Sequence, residues 1–331
     1  MNRPRLKALI LLSLATLSAS ALAQYANPAS PGTINYVEGS ASIEGRQLNS
    51  NSVGHEALER GQYLATTDGK VEILLTPGIF LRLDKDTTIQ MVSPDLTHTE
   101  IKLERGRADI EVDQIFTQNH ILIDQQRGET QLLKSGFYAF NAEMGPVRVI
   151  SGEASVFPGG DLSSDVKPIK LKADRELALN SDAFKPQKFD KDYAQDDLYN
   201  WSSLRSQYLG QANIALASDY AGYAGFNPGW YWAGDPYGYT WLPGSGLFWN
   251  PFGYGFYSPF YLYGGGLIYG RYGYGGGYGY RGGYGYRGGY YANSGRVSSP
   301  SHAGFSSANG AGGFHGGGGG GASHGGGSGH R

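Results

Sequence analysis

The chain has no cysteine in its 331 residues. That excludes a disulfide framework, a thiolate metal site and a cysteine nucleophile. It also has no long apolar run: residues 8–17 (ALILLSLATL) are about half the ~20 residues a spanning helix needs. Acid is almost missing from the last third, where Asp235 is the one carboxylate after Tyr220, against five arginines. No P-loop and no H-E-x-x-H motif occurs. The chain is therefore expected not to be an enzyme and to carry no cofactor.

The short apolar run has a role of its own. Arg3, Arg5 and Lys7 precede it, and Ala21-Leu22-Ala23 follows before Gln24, an A-x-A cleavage pattern. Residues 1–23 read as a secretory signal peptide. With no cysteine after the cleavage site, a lipoprotein anchor is excluded. The mature chain is expected to start near Gln24, with a short linker over 24–31, and to carry no transmembrane span. It is expected to be exported to a bacterial periplasm or cell envelope, or secreted.

Composition divides the mature chain. From Gln24 to Tyr220 there are 28 Asp and Glu against 19 Lys and Arg, a net of −9; from Ala221 onward the net is +4. The second part also holds 38 of the 53 glycines and 17 of the 25 tyrosines. The acidic part is large enough to bury a single-domain core. The glycine-rich part resists ordering, because glycine loses the most backbone entropy on folding.

The acidic part alternates apolar and polar residues in short runs: Val71-Glu72-Ile73, Ile79-Phe80-Leu81-Arg82-Leu83, Ile101-Lys102-Leu103, Ala108-Asp109-Ile110-Glu111-Val112 and Val147-Arg148-Val149. A period of two puts one set of side chains in a core and the other in water. Turn signals at Asp68-Gly69, Pro77-Gly78, Arg105-Gly106, Gly145-Pro146 and Gly152 separate the runs. The fold class predicted is mainly β, a stack of short strands forming a sandwich or a β-helix-like array. One amphipathic helix and a largely disordered Gly/aromatic-rich tail follow it.

Four segments in order carry a resemblance: GTINYVEGSASIEG (32–45), LERGQYLATTDGKVEILLTPGIFLRLDKDTTIQM (58–91), IKLERGRADIEV (101–112) and KSGFYAFNAEMGPVRVISGEASVF (134–157). The set resembles the FecR family, the periplasmic domain of ferric-citrate-type regulators, over about residues 32–180. The resemblance implies a binding, scaffold or sensor domain and brings no catalytic residues. Signalling members of that family resemble anti-sigma factors with a cytoplasmic segment and one membrane span; here a signal peptide stands in place of both.

Over residues 189–220, Leu198, Trp201, Leu204, Tyr208, Ala212 and Ala215 recur at three- and four-residue steps. They predict an amphipathic helix packing its Trp201 stripe on the β domain, or else offering it to a partner. Residues 221–266 hold four of the five tryptophans, Trp230, Trp232, Trp241 and Trp249, among Pro and Gly. So much aromatic area with one charge wants a surface: itself, carbohydrate such as peptidoglycan, or a lipid interface. These four are the aromatic contact candidates. Residues 267–331 are Gly/Tyr/Arg and then Gly/Ser/His low-complexity sequence, including GYGYRG twice. Tyr and Arg of this kind stack on bases, but export removes that partner, so no nucleic acid is expected.

Asp109, Glu111 and Asp113 share one face of one strand and are expected to form a solvated acidic face. His55, His98 and His120 stand singly, as ordinary surface or turn histidines. His302, His315, His324 and His330 lie in flexible-looking sequence and are weak candidates for capturing Zn²⁺, Cu²⁺ or Ni²⁺. The leading expectation is an exported, non-catalytic envelope protein that binds or scaffolds through its β domain and adheres through its tail. Its partner is an envelope component or protein, with peripheral membrane or cell-wall contact. The alternatives are a periplasmic sensor acting through a separate membrane partner, and metal buffering by the histidine-bearing tail.

Overall fold

The structure, a computed structural model, describes residues 28–266 apart from 144 and 182. The expected signal peptide and the low-complexity segment 267–331 lie outside the described residues. Among those described, no helix is long and apolar enough to cross a membrane.

The mainly β expectation holds. Fourteen strands make one sheet: β1 (Ile34–Ile43), β2 (Arg46–Gln47), β3 (Tyr63–Leu74), β4 (Ile79–Leu83), β5 (Thr88–Asp95), β6 (His98–Arg105), β7 (Arg107–Val112), β8 (His120–Gln125), β9 (Gly128–Leu132), β10 (Gly136–Asn141), β11 (Pro146–Ser151), β12 (Glu153–Pro158), β13 (Ile169–Lys172) and β14 (Arg175–Ala178). The order across the sheet is β13-β12-β9-β8-β6-β5-β3-β4-β7-β10-β11-β14, with β1 beside β3 and β2 beside β1. Pairing is antiparallel except between β6 and β8, which run parallel with His98 opposite His120. The two end strands, β13 and β14, follow each other in sequence. The sheet therefore comes back almost onto itself, as a nearly closed, barrel-like sheet.

Glycines let the strands turn that corner. Gly39 of β1 and Gly69 of β3 lie opposite each other. A Cβ on Gly39 would sit 2.1 Å from the Asp68 carbonyl oxygen, and one on Gly69 would sit 2.4 Å from that of Glu38. Beyond this crossing β3 changes partner, from β5 through Tyr63–Ala65 to β4 through Val71–Leu74. One long strand thus serves both halves of the sheet.

Alternation then fixes what each face holds. Val71 and Ile73 of β3, Ile79, Leu81 and Leu83 of β4, and Ala108, Ile110 and Val112 of β7 all join the main core. Their neighbours Glu72, Leu74, Phe80, Arg82, Asp109 and Glu111 face the other way. That outer face is buried as well, because the chain returns to cover it. After a short helical turn (Lys191–Ala194), a long helix runs over Asp197–Asp219. Asp196 caps it, its side chain accepting from the Tyr199 amide.

The helix buries part of the expected stripe, Leu198 and Ala212, with Trp201 half-buried on Tyr36, but the centre of its buried face is rotated from the one expected. Leu198, Ser202, Arg205, Ser206, Leu209, Ala212, Asn213 and Ala217 are buried, while Leu204 and Tyr208 are exposed. The buried face is the expected stripe moved on by one residue, a rotation of about 100°. Half of it is polar, because the sheet face below carries charge, and the apolar stripe took no account of that partner.

Residues 221–266 are an ordered lobe of two hairpins, β15 (Gly229–Trp232) with β16 (Tyr239–Leu242), and β17 (Leu247–Trp249) with β18 (Gly255–Tyr257). Trp241, Tyr239 and Phe256 pack with Leu209 of the helix and with Leu74 and Phe80 of the sheet. Of the surfaces left open for this stretch, the structure shows it packing on itself and on the domain. Its aromatic area finds apolar cover in the sheet and helix.

Three buried asparagines hold the lobe down. Asn35 of β1 donates to the Tyr239 carbonyl (3.0 Å) and accepts from its amide (2.6 Å). Asn213 of the helix donates to the carbonyls of Trp241 (2.8 Å) and Tyr257 (3.2 Å) and accepts from the Tyr257 amide (2.7 Å). Asn250 accepts from the Tyr254 amide (2.8 Å) and donates to Glu111 (2.7 Å). Each amide offers a donor and an acceptor, so Asn35 and Asn213 pair with strand backbone as another strand would, while Asn250 ties its own turn to Glu111.

Candidate functional site

The densest group of ionisable side chains lies between sheet and helix. Arg82 sits opposite Glu72 on β3 and Asp109 on β7. Its Nε donates to Glu72 (2.8 Å) and its Nη1 to Glu111 (2.5 Å). Arg205 reaches down from the helix, donating from Nη2 to Glu72 (2.8 Å) and to the Tyr237 carbonyl (2.9 Å). Its guanidinium also lies over the Tyr36 ring at 4.1 Å. Ser206 donates to Glu111, and Ser202 donates to Asp109 at 3.3 Å.

Burial and charge set the protonation states here. Burial alone would raise the Glu72 carboxyl, but Arg205 and Arg82 outweigh it and hold it at about 2. Asp109 is pushed well above the carboxylate range by burial and then by Asp196, against the pull of Arg82 and Arg107. The solvated acidic face expected at Asp109, Glu111 and Asp113 is thus overturned: they are 4, 0 and 3% exposed. The arginines make that burial tolerable, and the helix enforces it.

A second group is less enclosed: Glu100 and Asp124 are half-buried and Glu129 is buried. On the outer side of β6, β8 and β9, Glu100, Asp124 and Glu129 each bring a carboxylate oxygen within 4.8 Å of the others. Hard cations such as Ca²⁺ take ligands of this kind. Burial, then the charges of Glu100 and Glu129, push Asp124 up to about 7. A cavity of about 560 Å³ adjoins it, lined by Lys102, Glu104, Asp124, Arg127, Glu129 and Asp161 among others.

The structure also brings together His98 and His120, which sequence reading placed singly. Their rings lie 6.4 Å apart, with His98 Nε2 3.0 Å from Glu100 and His120 Nδ1 3.0 Å from Gln131 Nε2. The parallel pairing of β6 and β8 does this, and nothing local in the sequence announces it. His302, His315, His324 and His330 lie outside the described residues.

The four aromatic candidates have separate fates. Trp241 is buried; Trp230 and Trp232 are half-buried, Trp230 edge-on to Phe80 and Trp232 edge-on to Tyr239. Trp249 is 63% exposed. Where the lobe meets the loops of the β domain, a groove of about 380 Å³ runs past Pro77, Leu96, Phe116, Asn119, Pro228 and Trp241. Its lining holds no charged side chain among the described residues. Leu96 and Phe116 stand at it 55% and 50% exposed.

No family model matches the chain, and no curated protein matches it. Two crystal structures, both described as a candidate anti-sigma factor from Parabacteroides distasonis, are similar to it. One shares 14% identity over 42% of this chain and 61% of its own, with a TM-score of 0.31. The other shares 13% over 43% of this chain and 63% of its own, with a TM-score of 0.32. The chain spans less than two thirds of either. Likeness this slight carries neither fold nor activity across.

Proposed function

We propose that this chain is an exported, non-catalytic binding and scaffold protein of the bacterial cell envelope. In this reading a FecR-like β domain, the long helix and the aromatic lobe form the binding body, and the Gly/Tyr/Arg segment is its adhesive part. The observation that carries it is the groove between lobe and β-domain loops, uncharged and flanked by exposed Leu96 and Phe116. Sites of a few hundred Å³ with apolar walls and a few polar groups are where proteins hold ligands. A non-catalytic role is supported by the burial of the most concentrated charged chemistry under the helix, away from any substrate.

The test is co-sedimentation of the purified mature protein with envelope membranes and with cell-wall material. The expected result is retention on at least one of them, weakened by the double variant L96A/F116A. Those side chains are half exposed, so the variant is expected to fold. Full recovery as a soluble monomer that ignores both fractions would overturn the reading.

A further inference from the structure

The face beneath the long helix holds more acid than base. Glu72, Asp109 and Glu111 are buried there, bonded from the helix by Arg205, Ser202 and Ser206, and Asp113 is buried just past the end of β7; Arg82 and Arg205 are the buried cations among them. Arg82 is paired with Glu72 and Glu111 and Arg205 with Glu72, while Arg82 Nη2 and Arg205 Nε have no acceptor among the described residues. Asp109 receives one long hydrogen bond from Ser202. Among the described residues, neither carboxylate oxygen of Asp113 has a donor. A buried carboxylate with nothing to donate to it is strongly unfavourable as an anion, and a bound proton removes the cost.

We propose that the long helix and the aromatic lobe form a proton-dependent latch on the β domain, closing over Asp113 and Asp109 while those carboxyls hold protons. Raising the pH loosens it. This goes beyond the binding role, and does not depend on what the groove takes.

The surroundings of each group support this. Asp113 faces Glu111 on its own strand and Arg82 from β4; the helix and lobe bring only neutral Ser206 and Asn250 to that neighbourhood, both on Glu111. Burial, then the Glu111 charge, push Asp113 well above the carboxylate range, against Arg82. Around Asp109 stand Arg82 from β4, Arg107 from β7, Asp196 and Tyr199 from the helix, and Arg148 of β11 in the same cleft. Asp196 ties the helix start to Arg107 at 2.5 Å, and there the cover begins.

Lifting the helix and lobe together returns both carboxyls to water, where an aspartate titrates near 3.9. The closed state then binds more protons than the open one, so closure weakens as pH rises from that value toward the raised ones.

The experiment is amide hydrogen exchange on the full chain between pH 5 and 8, expressed as protection factors so that intrinsic exchange rates cancel. Protection along Asp197–Asp219 is expected to fall up to tenfold per pH unit for each proton released, while β9 and β12 hold theirs. D113N keeps the shape of the protonated carboxyl without its titration, and is expected to reduce that slope by one proton; D109N does the same for its own group. Equal slopes in the wild type and both variants would overturn the latch. So would a simultaneous loss of protection in all strands, or failure of D113N to fold, since the neutral side chain imitates the closed state.

Discussion

Two trios of carboxylates stand on the outside of the same sheet and are covered to different degrees. Asp109, Glu111 and Asp113 lie two residues apart along β7 and just past it, and are sealed. Glu100, Asp124 and Glu129 come from β6, β8 and β9; Glu129 is buried, but Glu100 and Asp124 stay half open to solvent. The sealed trio faces Arg82 across the sheet, and Glu72 beside it takes Arg205 from above. The open trio has its cation, Lys102, drawn to Glu104 instead at 2.7 Å. A charged strand face is buried or wet according to what covers it, and here the cover lies about ninety residues further along the chain.

The largest effect should come from removing the cation that the sealed trio shares. Arg82→Met leaves Glu111 buried without a cation and Glu72 with Arg205 alone, and breaking a buried pair from one side costs about 3–5 kcal/mol. Lys102→Met on the open side breaks an ion pair whose side chains are 42% and 36% exposed, and should cost no more than about 1 kcal/mol. Urea unfolding at pH 7 measures both. Similar losses for the two variants would erase the distinction between the faces.

Next in size is the helix that makes the cover. Leu209 is buried against Trp241, Phe80 and Leu74, whereas Leu204 is 47% exposed. Leu209→Ala should cost about 2–5 kcal/mol, and Leu204→Ala should stay within about 0.5 kcal/mol. Thermal denaturation of the pair decides which face is buried. The reverse order would restore the stripe through Trp201, Leu204 and Tyr208.

What the sequence makes legible is the inner face. The alternation of Val71-Glu72-Ile73 and of Ile79 through Leu83 shows strands, their turns and the apolar half of each. The outer half is not legible, because Glu72 or Asp109 reads the same whether water or a helix lies above it. A trace of the cover was there in Ser202, Arg205, Ser206 and Asn213, polar residues at three- and four-residue steps. A helix period counted on apolar residues alone passes over them. Trp241 was visible as an aromatic in need of a surface, but that surface, Phe80 and Leu209, comes from two distant segments. The meeting of His98 with His120, and of Glu100 with Asp124, depends on the single parallel pairing and has no local signature.

The smallest expected effect belongs to the open trio. Asp124 titrates at about 7, raised by partial burial and then by the charges of Glu100 and Glu129. Unfolded, an aspartate titrates near 3.9, so between these values the folded chain holds a proton that the unfolded chain has lost. Stability from this group is therefore complete below about pH 4 and is lost as pH rises through about 7. Solvent reaches the site, so the loss is smaller than in a sealed one. Glu100→Gln removes one of the repelling charges, and should move the Asp124 midpoint down and flatten stability between pH 6 and 8. Carbon-13 titration of the Asp124 carboxyl follows the midpoint directly. An unchanged midpoint in E100Q would mean that burial and Glu129 hold the proton without Glu100, and the open trio would then differ from the sealed one in degree of cover rather than in kind.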